Sequence, residues 1–99
     1  MTSRHYAHDR RDRENRIRLI GEGNTIKVAV VDKGHRNGPE IHMLSDTGII
    51  TILNQRTGKL ITKLIARPGQ IKRYYESENR IPAVLLDLAY EHERLALNH

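Results

Sequence analysis

Residues 49–67 read IITILNQRTGKLITKLIAR. Two runs rich in β-branched and aliphatic residues, Ile49 to Asn54 and Lys59 to Arg67, flank Gln55-Arg56-Thr57-Gly58. Branching at Cβ stiffens the side chain and suits a pleated surface. A glycine at the end of a four-residue break can take the left-handed conformation that closes a short hairpin with a bulge. The pattern therefore predicts an antiparallel hairpin. Apolar residues fall on both faces of each run, since Ile50 and Ile52 oppose Ile49 and Leu53, and Leu60 and Leu64 oppose Ile61 and Ile65. Strands of that kind are expected inside a sheet, with material packed on each side.

Around this hairpin the remaining elements order themselves. Thr25 to Asp32, TIKVAVVD, predicts a strand that is apolar on both faces and so covered on both. Lys33 to Pro39 is a turn-rich loop, and Glu40 to Leu44 is a second strand ended by Ser45-Asp46-Thr47-Gly48. Pro68 stops the last strand and suits the first turn of a helix, which Ile71, Tyr74 and Tyr75 continue at i, i+3, i+4. Ser77 or Asn79 can cap a final helix that tolerates Pro82 in its first turn. Ile81, Leu85, Leu88, His92 and Leu95 give it an apolar stripe. Residues 1–16 are a basic arm, either disordered or a solvated helix that fuses to Ile17-Arg18-Leu19-Ile20. Residues 17–99 form a single α+β domain, an antiparallel four-stranded meander with an N-terminal helix or arm and one or two C-terminal helices.

Composition narrows the function classes. The chain has 99 residues, no Phe and no Trp, so its core is built from Ile, Leu, Val and four Tyr. No Cys is present, which excludes disulfides and thiolate metal sites. With no apolar run of membrane-spanning length and no secretory leader, the expected location is the cytoplasm. The formal charge is +5, and it is unevenly spread. Residues 1–20 and 21–75 are basic, while residues 76–99 are acidic. A basic middle points to a polyanionic partner, nucleic acid and RNA in particular, or to an acidic protein.

Two side chains could carry chemistry. Glu40 and His42 are i and i+2 on one strand, so they project from the same face about 7 Å apart at the backbone. A carboxylate and an imidazole at that spacing can divide the base and acid roles of metal-independent RNA cleavage. Guanidinium groups would then stabilise the charge that develops on phosphate. Arg67 and Arg73 are the clamp candidates, and His35 could replace Glu40 as base. The wider nucleic-acid-binding set is His35, Arg36, Lys63, Lys72, Arg73 and Tyr74. The same residues also suit plain structural duties: Glu40 and His42 on an exposed strand face, Tyr74 and Tyr75 in a core, His92 as a packing group. His5/His8 and His35/His42 lack carboxylates at a metal-binding spacing, so neither metal nor cofactor is expected. Gly21-Glu22-Gly23-Asn24 lacks the strand before it and the helix after it that a phosphate loop needs.

The run TGIITILNQRTGKLITKLIARPGQIKRYY, within residues 42–75, resembles the C-terminal half of small proteins of the barnase–EndoU–colicin–RelE class, phage-borne and toxin members included. There a strand pair joined by N-x-x-T-G-K-L-(I/V)-T is common, and Asn54 to Thr62 fit that pattern. The resemblance implies a metal-independent ribonuclease-like domain in which His42, Thr62 and Arg67 are site residues and Tyr74 a further one. The class usually draws one catalytic residue from its N-terminal helical region, and none is identified here.

Two functions follow. The first is a small phage or mobile-element protein that acts as a non-catalytic nucleic-acid or protein interaction module, a monomer or a weak homodimer through residues 81–95. The alternative is a ribonuclease with His42 as general acid, whose imidazole turns outward into a hollow ringed by guanidinium groups.

Overall fold

The computed structural model describes residues 2–78 and 80–97. The element order is α1 (Thr2–Ile20), β1 (Thr25–Val31), β2 (Glu40–Ser45), β3 (Ile49–Asn54), β4 (Leu60–Ile65), α2 (Pro68–Tyr74) and α3 (Ala83–Leu97). The four strands form one antiparallel sheet in the order β1-β2-β3-β4. The architecture is α+β, as the hairpin and helix patterns predict.

The hairpin forms for the reason its sequence gives. Gly58 sits at φ 72° and donates its N–H to the Asn54 carbonyl at 2.8 Å. The Asn54 carboxamide oxygen accepts from Arg56 N–H at 2.9 Å and Thr57 N–H at 3.0 Å. A bulge between Ile52 and Leu53 shifts the register against β4. α1 ends in a left-handed glycine whose N–H reaches back to the Ile17 carbonyl at 2.9 Å. Pro68 opens α2, and the Gln70 side-chain oxygen accepts the Arg67 N–H at 2.8 Å.

Register decides what each face carries. His42 stands opposite Ala29 on β1 and Ile52 on β3, and Ile52 stands opposite Thr62 on β4. This face is covered by α2 and α3. Leu44, Ile50, Ile52, Ala66, Ile71, Tyr75, Leu85 and Ala89 make the core there.

The structure differs from the sequence-based expectations in several places and selects between stated alternatives in one. β1 is an edge strand, and Ile26, Val28 and Val30 are 46%, 56% and 58% exposed rather than covered. β4 is the other edge, and Leu60 and Ile61 are open to solvent. Residues 2–16 belong to α1, the helical form of the two alternatives. The stripe of α3 that is fully buried is Leu85, Ala89 and His92, while Leu88 is half-buried and Leu95 exposed. A small Ala89 lets the helix approach closely, and a period of 3.6 then carries residue 95 off the contact line. The α3 cap candidate Ser77 lies before the helix, Asn79 falls outside the described residues, and Pro82 instead precedes the first turn. Its carbonyl accepts from Leu85 and Leu86.

Candidate nucleic-acid interface

Two features stand at the end of the sheet where β2 begins and β3 ends. The first is a pair of loops locked together. The connections formed by residues 32–39 and 55–59 contain Lys33, His35, Arg36, Arg56 and Lys59 and a single acid, Asp32, whose carboxylate accepts the Gly34 N–H at 2.9 Å. Gln55 N–H donates to the Pro39 carbonyl at 3.0 Å, and the Asn54 side-chain amide donates to the Asn37 carbonyl at 3.0 Å. The Arg56 guanidinium donates to the Arg36 carbonyl at 3.4 Å. Gly38, at φ 88°, lets the first loop pass directly under Arg56, since a Cβ there would lie 2.7 Å from Arg56 Nε. Lys33, His35, Arg36, Arg56 and Lys59 are all exposed. One backbone and two side-chain hydrogen bonds fix the two loops relative to each other, so the cations form one surface.

The second feature is the Glu40–His42–Tyr74 chain. His42 is 8% exposed, and both its ring nitrogens are engaged. Nδ1 lies 2.6 Å from the Tyr74 hydroxyl, and Nε2 lies 3.0 Å from Glu40 Oε1. The two rings meet edge to face at 5.8 Å. Glu40 has only acceptors when ionised, so the neutral imidazole carries its proton on Nε2 and the phenol donates to Nδ1. The hydrogen bond from His42 holds the Glu40 carboxyl below the usual carboxylate range, and Lys33, 3.9 Å away, adds to this. Burial pushes the Tyr74 phenol up.

Glu40 and His42 are thus brought together as their spacing suggests, and α2 adds Tyr74 to them, but the imidazole does not point into an open hollow. It lies between strand and helix, with both nitrogens spent. Thr62 shares its sheet face two strands away and is half-buried. Arg67 follows the far end of β4, level with the Ser45–Gly48 turn, where Ala66 N–H bonds the Gly48 carbonyl. It belongs to the opposite end of the sheet from Glu40. Lys63 pairs with Glu22 beside α1, remote from His35 and Arg36. Lys72 and Arg73 are exposed on α2.

Sequence reasoning missed Arg56 and Lys59 as partners of the first loop. Hairpin turns carry cations for many reasons, and only the strand order puts this turn beside residues 33–39. Among the described residues no group of three or more His, Asp or Glu could hold a metal ion, and no helix is long and apolar enough to cross a membrane. No protein family, curated protein or solved structure matches the chain.

Proposed function

We propose that this protein is a non-catalytic module that binds nucleic acid through the end of its sheet formed by the 32–39 and 55–59 loops. One observation carries the reading: Lys33, Arg36, Arg56 and Lys59 stand exposed on two mutually hydrogen-bonded loops whose single carboxylate, Asp32, accepts the Gly34 N–H. Cations held at fixed separation match a phosphodiester backbone better than tethered, independently mobile ones, because less side-chain and loop freedom is lost on binding. Contacts of this kind carry affinity without reading sequence. The test is fluorescence anisotropy with a labelled single-stranded RNA at low salt. Wild type binds, and replacing Lys33, Arg36, Arg56 and Lys59 together by Ala sharply weakens binding while the fold persists. Undiminished binding by that variant overturns the assignment.

A second reading has its own support in the Glu40–His42–Tyr74 chain, three titratable groups within hydrogen-bond reach beside the basic loops. It makes the protein a metal-independent ribonuclease with His42 as general acid. RNA degradation in the presence of EDTA, lowered roughly 100-fold in His42→Ala, is its signature. The binding module is the better-supported reading, because His42 has no free nitrogen and Arg67 is not near it.

A further inference from the structure

A cleft of about 490 Å³ opens between α2 and α3, at the other end of the sheet from the basic loops. Its lining is divided by chemistry. From α2 and the residue before it come Arg67, Gln70 and Arg73; from α3 come Tyr90 and Glu93. Gln70 and Arg73 are three apart on one helix, as are Tyr90 and Glu93 on the other, so each pair shares a face. Among the described residues neither Arg67, Arg73 nor Glu93 has an ion-pair partner. Tyr90 is 52% exposed, so a large part of its ring is open to solvent.

We propose that this cleft binds one unpaired nucleotide of the nucleic acid, with its phosphate on the α2 wall and its base on the α3 wall. The inference rests on the nucleic-acid reading above but uses none of its residues. Two guanidiniums on one wall suit a phosphate, which they can grip through paired N–H donors. An exposed phenol ring offers a stacking platform that every base can use. One helical turn on, Glu93 accepts from the N–H groups at a base edge. Adenine, cytosine and guanine present an amino group to it, whereas uracil flanks its single N–H with two carbonyls that repel a carboxylate. An inorganic anion alone leaves Tyr90 and Glu93 unused, and Glu93 disfavours it. The distance also fits: β4 separates cleft and basic loops by its six residues, about 20 Å at the usual rise of a strand. One single strand several nucleotides long can touch both.

The experiment is an NMR titration of the full chain with each nucleoside 5′-monophosphate, with inorganic phosphate and uridine as controls. Amide shifts are expected at Gly69, Gln70, Arg73, Tyr90 and Glu93, with uridine 5′-monophosphate weakest of the four nucleotides. Arg73→Ala should weaken binding about tenfold or more, the size of a lost charge-assisted contact. Tyr90→Leu should weaken it by roughly tenfold and Tyr90→Phe hardly at all, because stacking needs only the ring. Glu93→Ala should abolish the discrimination against uridine 5′-monophosphate. All three positions are exposed, so the variants keep the fold. Shifts confined to residues 33–39 and 55–59, equal response to inorganic phosphate, or no shift at millimolar nucleotide each overturn the cleft assignment. RNA binding that is unchanged in Arg73→Ala but sharply weakened in the four-residue loop variant leaves the loop reading intact, so the two failures are distinguishable.

Discussion

Replacing Tyr74 by Phe removes one oxygen and leaves the ring. The lost atom is the hydroxyl that sits 2.6 Å from His42 Nδ1, in a residue that is 8% exposed. No cavity of ring size opens, so the cost comes from the unpaired imidazole nitrogen. Leaving one buried polar atom without a partner costs about 1–3 kcal/mol. At about 4–8 °C per kcal/mol for a domain of this size, the melting temperature should fall by roughly 5–20 °C. Urea denaturation followed by circular dichroism measures the change, with an unaltered slope showing that the same surface is exposed on unfolding. The imidazole nitrogen shifts give a second readout. In wild type Nε2 is protonated toward Glu40 and the phenol donates to Nδ1; without the phenol Glu40 still holds the Nε2 proton, so the tautomer persists and only the Nδ1 shift should change as it loses its donor. A stability loss under about 0.3 kcal/mol together with an unchanged Nδ1 shift would refute the claim that the Tyr74 phenol donates to buried His42.

Further outcomes test other parts of the account. Glu40 has a lowered carboxyl pKa in the fold, so the unfolded chain binds the extra proton first, and stability drops as pH falls through the carboxylate range. Glu40→Gln should flatten that acid limb in pH-dependent urea melts, and an unchanged limb would remove Glu40 from the network. Tyr74 titrates in the opposite sense: its raised phenol pKa means stability declines as pH rises above the ordinary phenol value, a decline that Tyr74→Phe should lessen. Ile71 is 0% exposed between α2 and the sheet, so Ile71→Ala should cost about 2–5 kcal/mol in the same melts, and less than 1 kcal/mol would contradict the core assignment. Gly38→Ala forces a side chain into a left-handed residue and against Arg56, so it should weaken RNA binding and cost about 1–2 kcal/mol.

Much of the fold is legible locally. Gly58 and Asn54 close the hairpin through contacts within five residues, and Pro68 with Gln70 starts α2 through contacts within four. What the sequence hides is lateral position. TIKVAVVD has the apolar content of a covered strand, yet its place at the sheet edge is set by the order of the meander, which no local pattern encodes. The candidate site divides in the same way. Glu40 and His42 meet because a strand repeats every two residues. Tyr74 joins them only because α2 folds back over the sheet. Arg67 parts from them because β4 runs away from the Glu40 end, and Arg56 stands over the 33–39 loop for the complementary reason.

The most direct test of the nucleic-acid assignment is the salt dependence of RNA affinity, compared between wild type and the Lys33/Arg36/Arg56/Lys59 to Ala variant. Each phosphate contact on a single strand contributes about 0.7 to the slope of log affinity against log salt. Loss of four cations at the interface should flatten that slope by about 2–3. A slope that is the same in both proteins would mean that the RNA, if it binds at all, is held elsewhere.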